Sequence, residues 1–389
     1  MTRPFVRLAL CCNESLNDID GIRDYTLRLV EALSQIEAVA ADLYVRTSDG
    51  KWAVIDGETG NRGHEGAFQG LTGYDVVVLQ YNPFMYGRWG FAPWLPVALG
   101  RLRSKSAGVC VALMVHEPYV PMVNWRWTLM GLWQRCQLAA ALWESHLAFV
   151  SIDPWARSLR KLPFARPTFH LPVGSNLPDM RAARNTQRLQ LNADNDTVVI
   201  ATFTTGIPGR LVSHLAAAID EVARTGKKVL VLNLGAGAPR LGGAIAEPVE
   251  VIEPGRLPSE ELASNLAASD LFLAPFSDGV STRRTTVMAA LQHGVPVVGT
   301  SGFLTDRIFQ DAVNHLRLVP VESPRAFAAA AVHLVLNPEE RVVLGSAGRD
   351  LYERSFDWPV IANELLTRLG VALREDGSRG APSLRPSVR

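Results

Sequence analysis

A strand–helix alternation runs through this chain twice, and one Pro- and Gly-rich segment, Leu171-Pro-Val-Gly-Ser-Asn-Leu-Pro178, separates the two runs. In the first run, Phe5 to Cys11, Asp75 to Gln80, Val109 to Val115 and His146 to Ser151 read as strands. Between them, Gly21 to Leu33 carries Ile22, Tyr25, Leu29 and Leu33 at helical spacing. A further helix is expected to open at Pro154, a favourable first-turn residue. The second run places strands at Thr197–Phe203, Lys228–Leu234, Val249–Glu253, Leu271–Ala274 and Val295–Gly299. Helices fall at Leu211–Arg224, Ser259–Ala268 and Arg283–His293. These strands are continuously apolar rather than alternating, so both faces are buried, which is the mark of parallel sheets covered by helices.

Composition agrees with two ordinary globular cores. The 389 residues are 48% hydrophobic and 20% charged, with formal net charge +1. That balance excludes a disordered chain and gives no field for nucleic acid, so no nucleic-acid partner is expected. Cys11, Cys12, Cys110 and Cys136 form no CxxC or His/Cys zinc spacing, and reduced buried thiols are expected. The opening MTRPFVRLALCCNES reaches polar residues after one short apolar run, so no signal peptide is expected. No apolar stretch reaches the ~18 residues of a spanning helix. A cytoplasmic protein is expected, with the inner membrane face as a compatible peripheral location. The segment 374–389 is rich in Ser, Pro, Gly and Arg and reads as a disordered tail. Eight of the nine Trp lie at or before Trp155, so the two halves carry different surfaces.

In doubly wound sheets ligands bind beyond the strand C-termini, so the loops there hold the candidates. Asp18 and Asp20 form a D-x-D pair, but a capping role for Asp20 is the favoured reading and no metal is expected. Gly21 opens the next helix and leaves its free N–H groups approachable by an anion. His116 follows a strand, where a ligand role and a satisfied core histidine are equally compatible. Tyr81 to Trp94 is aromatic and Gly/Pro-rich, suited to a platform for a sugar or apolar acceptor or to packing on its own domain. The helix Trp125–Trp143 mixes Trp, Arg and apolar residues; it is read as core-facing, with a membrane surface as the alternative.

Pro275-Phe-Ser-Asp-Gly-Val-Ser-Thr-Arg-Arg-Thr-Thr286 follows a strand and leads into a helix. Ser281 is expected as its N-cap, with Arg283 and Arg284 in the first turn. Cations there oppose the helix dipole, and a bound diphosphate would reverse that penalty. The alternative is that both extend into water or pair with a nearby carboxylate. Arg210 ends a second strand–loop–helix turn and is placed to complete a phosphate clamp. Leu230-Val-Leu-Asn-Leu-Gly-Ala-Gly-Ala-Pro-Arg240 offers G-x-G after a strand, but Arg240 takes the third Gly position and Pro239 interrupts the helix start, so a plain loop is expected.

An ordered set of segments resembles the GT-B glycosyltransferases, close to the retaining family 4 type, from Val6 to about Leu369. It comprises Gly21-Ile-Arg-Asp-Tyr25, His116, the connector 171–176, Val251-Ile-Glu-Pro-Gly255 with Leu257, Ser269–Pro275, His293–Val298 and Phe356–Ala362. The resemblance implies two Rossmann-like α/β domains facing a central cleft. Residues 1–175 would form the acceptor side, joined by a crossing helix at about 357–372, and residues 176–356 the nucleotide-sugar side. It implies transfer of a sugar from a nucleoside diphosphate donor to a hydroxyl acceptor (small molecule, glycan or lipid-linked), with retention and without metal or other cofactor.

On this reading Arg210, Arg283 and Arg284 stabilise the departing diphosphate, and His116 lies against the donor sugar. Gly21, Gly255, Arg256, Leu257, Asp278, Gly279, Val280, Ser281 and Thr282 complete the donor side. Tyr81, Asn82, Phe84, Tyr86, Glu117 and Tyr119 are the acceptor-side candidates. The chain departs from the family at its E-x7-E pair, whose positions hold Ser281 and Ala289. That departure keeps open a non-catalytic GT-B protein that binds a nucleotide sugar or a partner. A GT-B epimerase or phosphorylase is a third reading; the phosphorylase would need a cofactor Lys, and no segment announces one.

Overall fold

The computed structural model describes residues 6–13, 20–47, 52–55, 62–64, 70–105, 108–163, 165–204, 209–238, 240–246 and 248–375. The chain divides into two compact units, Met1–Pro172 with Trp358–Arg389, and Val173–Asp357.

The first unit holds strands β1 (Val6–Asn13), β2 (Val39–Arg46), β3 (Trp52–Ile55), β4 (Arg62–His64), β5 (Val76–Tyr81), β6 (Cys110–Val115), β7 (Leu147–Val150) and β8 (Thr168–His170). Helices α1 (Gly21–Ser34), α2 (Trp94–Lys105), α3 (Trp125–Glu144) and α4 (Asp153–Arg160) lie between them. The sheet order is β4-β3-β2-β1-β5-β6-β7-β8. All pairs from β2 to β8 are parallel; β3 and β4 extend the edge antiparallel, which the sequence reading did not anticipate. Every side chain of β5, β6 and β7 is buried, as continuous apolar strands require. Asp20 caps α1, its Oδ1 accepting from the backbone N–H of Ile22 at 3.0 Å and of Arg23 at 3.2 Å. Asp18 lies outside the described residues.

The second unit holds α5 (Arg184–Gln190), β9 (Thr197–Phe203), α6 (Val212–Ala223), β10 (Lys228–Leu234), β11 (Glu250–Ile252), α7 (Ser259–Ala267), β12 (Leu271–Ala274), α8 (Thr285–Gln292), β13 (Val297–Ser301), α9 (Arg307–Gln310), β14 (Arg317–Pro320), α10 (Pro324–Leu336) and α11 (Pro338–Ser355). Its sheet is parallel throughout, in the order β11-β10-β9-β12-β13-β14. The chain steps outward from β9 to β10 on one side and to β12 on the other, so the order reverses between β9 and β12. The last helix, α12 (Trp358–Glu375), belongs to the first unit and packs on α1, with the rings of Trp358 and Tyr25 5.3 Å apart. Arg374 and Glu375 are its last residues, and the rest of the expected tail lies outside the described residues.

Three expectations are corrected. Helix α8 begins at Thr285, so Arg283 and Arg284 precede it, and Arg284 rather than Ser281 is the N-cap, with no capping side-chain bond. Cys136 is exposed, unlike Cys11, Cys12 and Cys110. Helix α3 is not simply core-facing: its buried residues include Gln134 and Gln137, while Trp125, Leu129, Leu132 and Trp143 are exposed. Among the described residues no helix is long and apolar enough to cross a membrane.

Candidate functional site

The crevice of an open α/β sheet forms where strand order reverses, beyond the strand C-termini. In the second unit that point lies between the loops after β9 and β12. Backbone bonds join these loops: Leu211 N–H donates to Pro275 O at 3.0 Å and Ser277 N–H to Gly209 O at 2.7 Å. Arg210 and Phe276 form an isolated antiparallel bridge there. The Arg210 side chain donates from Nη2 to Thr202 Oγ1, while its buried Nη1 has no hydrogen-bond partner among the described residues. Burial lowers the Arg210 pKa to about 10, so the guanidinium stays charged at neutral pH. A buried cation with an unmet donor is costly unless an anion completes it.

Beside it, Asp278 receives both neighbouring arginines. Arg283 Nη2 lies 2.5 Å from Oδ2 and Arg284 Nη2 2.6 Å from Oδ1. Arg284 also lies over the Phe276 ring, 4.2 Å from its centre. All three charged side chains are largely buried. The carboxylate alternative noted for these arginines is therefore the observed arrangement. Two guanidinium groups share one carboxylate in the loop bridged to Arg210. Asp278, expected on the donor side, has both of its oxygens engaged by arginine.

The turn that follows is locked from below. Gly279 has φ +90°, and a Cβ there would collide with Thr305 Oγ1 and the backbone of Gly302, so only glycine fits. Val280, Ser281 and Thr282 are fully buried. Asp306, also buried, accepts from the Thr282 N–H at 2.6 Å and from Thr282 Oγ1 at 3.0 Å. Sequence reading missed Asp306, which stands 24 residues away in the loop after β13. Ser281 Oγ is buried and has no partner among the described residues.

Gly255, Arg256 and Leu257 lie in the loop between β11 and α7, on the other edge of the sheet. Gly255 has φ +71° and open space where a Cβ would stand. The G-x-G loop after β10 is a plain loop. Glu253 accepts from Asn233 Nδ2 and Leu241 N–H, each at 2.8 Å, and a Cβ on Gly235 would meet the Thr204 carbonyl.

In the first unit, His116 stands just past β6 and is buried. Its Nε2 lies 2.7 Å from Gln80 Oε1, a bond that requires the proton on Nε2. The Tyr25 ring meets it edge-on at 4.8 Å. Burial lowers its pKa to about 3, so the ring is neutral across the physiological range. Gly21 opens α1, and a Cβ built there would meet nothing within 4 Å among the described residues.

The aromatic acceptor platform is corrected in part. Tyr81 is fully buried, and Tyr86 is a core residue whose hydroxyl donates to Gln80 O at 2.6 Å. Tyr119 packs on the core with Arg135 stacked 3.8 Å over its ring. Phe84 is exposed, and Asn82 Nδ2 reaches Glu117 Oε2 at 3.4 Å, so a polar pair and one free ring remain. Among the described residues no three His, Cys, Asp or Glu side chains gather as metal ligands.

Residues 198–337 match the family described as glycosyl transferases group 1. A GDP-mannose-dependent monoacylated alpha-(1-6)-phosphatidylinositol monomannoside mannosyltransferase of Corynebacterium glutamicum is 25% identical over 217 residues, 52% of this chain and 56% of that protein. The match thus spans little more than half of the relative's own length. The sucrose-phosphate synthase of Thermosynechococcus elongatus superposes with TM-score 0.67 at 18% identity, covering 95% of this chain and all of that one. Anabaena HepE, solved with UDP and glucose, gives TM-score 0.59 at 12% identity over 94% of this chain and 100% of its own. The second unit therefore holds a segment similar to the glycosyl transferases group 1, in a chain of GT-B fold.

Proposed function

We propose that this protein transfers a hexosyl group from a nucleoside diphosphate sugar to a hydroxyl acceptor, with retention and without metal. The observation that carries the reading is the Arg210 guanidinium, buried at the β9/β12 reversal with Nη1 unsatisfied among the described residues. A diphosphate placed there would complete Arg210 and lie beside the Arg283–Asp278–Arg284 group. Negative charge grows on that diphosphate as the glycosidic bond breaks, so fixed cations stabilise the transition state more than the ground state. The arginines do the work a divalent ion would otherwise do. The buried turn Gly279–Thr282 holds them in register, and the Gly255–Leu257 loop is the candidate seat for the base.

His116 is assigned to orientation rather than proton transfer, because a ring held neutral down to about pH 3 is a poor acid at neutral pH. With no nucleophile assigned, front-face displacement assisted by the leaving phosphate is the step this reading takes. The corynebacterial relative uses a lipid-linked acceptor by its name, and a lipid-linked hydroxyl is the acceptor class we favour here.

The test is calorimetric titration with UDP, GDP, ADP and dTDP without added metal, followed by turnover of the matching sugar nucleotides on lipid-linked and soluble acceptors. Selective binding of one diphosphate with turnover supports the assignment. Binding without turnover on any acceptor would establish a sugar-nucleotide-binding protein instead.

A further inference from the structure

Helix α3 is apolar on both faces: Leu138, Ala141 and Leu142 pack into the core, and a second apolar stripe faces outward. Its outward stripe is Trp125, Leu129, Leu132, Cys136, Ala140 and Trp143, spaced to stay on one face for about 27 Å. Trp125 is 73% exposed, Leu129 55%, Leu132 50% and Trp143 56%. The inward face spends buried positions on two glutamines. Gln137 Oε1 accepts from Ala92 N–H at 2.6 Å, and Gln134 Nε2 donates to Trp89 O at 3.3 Å. Those bonds fasten the preceding loop against α3, where Trp89 is 64% and Phe91 59% exposed. Phe91 meets Trp133 of α3 edge-on at 6.2 Å, so loop and helix form one surface. Trp89 stands at φ +57°, a strained backbone for a bulky residue, with its indole turned out to solvent.

The charge beside this surface is mainly positive: Arg103 donates to Trp143 O at 3.3 Å, and Glu144 is the acidic residue that closes α3. Between Asp75 and Glu144 the only acidic residue is Glu117, against six cations: Arg88, Arg101, Arg103, Lys105, Arg126 and Arg135. Arg126 lies 5.3 Å from the centre of the Trp125 ring and Arg88 5.0 Å from that of Trp89, so cations ride beside the exposed indoles. A second copy of the chain would bring this positive surface against itself. An anionic bilayer matches it in both respects, since indoles seat at the headgroup boundary and arginines pair with phosphates.

We propose that the outward stripe of α3, with the Trp89–Phe91 loop, docks this protein on the surface of an anionic bilayer. The docking is independent of the donor chemistry.

The test is co-sedimentation of the full chain with vesicles of phosphatidylglycerol and phosphatidylcholine in equal parts, and with pure phosphatidylcholine. At least tenfold tighter partition onto the anionic vesicles is expected, weakened by salt and accompanied by a blue shift of tryptophan emission. The double variant Leu129→Gln/Leu132→Gln, altered only at exposed positions, is expected to lose tenfold or more while its thermal melt and nucleotide titration stay unchanged. Equal partition of the variant, or none by the unaltered chain, overturns the proposal. A dimer in light scattering that the same variant dissolves would give the face to a second copy and overturn it as well.

Discussion

Arg210 and Phe276 are bridged backbone to backbone across 66 residues of sequence, and this bridge brings the two loops of the β9/β12 reversal together. Its effect is to set Arg210 beside the ring on which Arg284 lies. Replacing Arg210 by Ala removes charge-assisted bonds worth about 1.5–3 kcal/mol to a bound diphosphate. Nucleotide affinity should fall ten- to hundredfold by calorimetry, with the fold checked by circular dichroism. Unchanged affinity would take Arg210 out of the site.

The Asp278→Asn change leaves two largely buried guanidinium groups without their carboxylate. Breaking one side of a buried ionic group costs about 3 kcal/mol or more. The variant should melt several degrees lower than the unaltered protein. Saturating diphosphate should then raise its melting temperature more than it raises that of the parent, because the anion replaces the lost charge. An equal ligand-induced shift in both proteins would show that the arginines do not meet the phosphates.

Gly279→Ala tests the lock beneath that group. At φ +90° and against Gly302 and Thr305, the new methyl forces the backbone to move. A loss of at least about 2 kcal/mol in urea unfolding is expected, together with weaker nucleotide binding. A silent substitution would mean that the turn is softer than its contacts imply.

His116 gives a pH signature whose sign follows from its lowered folded pKa of about 3. Above about pH 6.5 neither folded nor unfolded state holds the extra proton, and the group contributes nothing. As pH falls below that value the unfolded chain takes up a proton that the buried ring refuses. Stability is then lost at up to about 1.4 kcal/mol per pH unit. His293, lowered chiefly by burial, acts in the same direction. In His116→Gln the difference in unfolding free energy between pH 7.5 and 5.0 should shrink by about 2 kcal/mol, measured in urea. An unchanged difference would show that the ring titrates normally.

Much of the fold could be read along the chain because parallel strands buried on both faces are continuous apolar runs. Strands β9, β10 and β12 coincide with such runs residue for residue. Strand β2 was not read, since Ala40, Ala41 and Asp42 interrupt its apolar residues and are only half-buried. Of the candidate site, the strand–loop–helix placement of residues 275–286 was legible, and the carboxylate five residues before Arg283 was in plain view. Its partners below the turn were not. Asp306 lies in another loop. At the opposite, N-terminal end of β12, Asp270 gathers Arg184 and Arg188 at 2.5 and 2.8 Å across more than 80 residues. No local pattern announces such pairings, because the sheet's register creates them. Helix α3 misled for a different reason. Its composition suits a core on every side, and the pattern does not tell the Leu138, Ala141 and Leu142 face, which packs inward, from the Trp125–Trp143 stripe, which does not.

The return of α12 to the first unit has a consequence for how the protein is made. Tyr25 of α1 is covered in part by Trp358, which leaves the ribosome only after the whole second unit. A nascent chain that has released residues 1–172 still shows to water the part of α1 that α12 covers. The second unit, being continuous, can close first. Synthesis from the N-terminus therefore completes the units in reverse order, and the half that begins the chain is the last to be sealed.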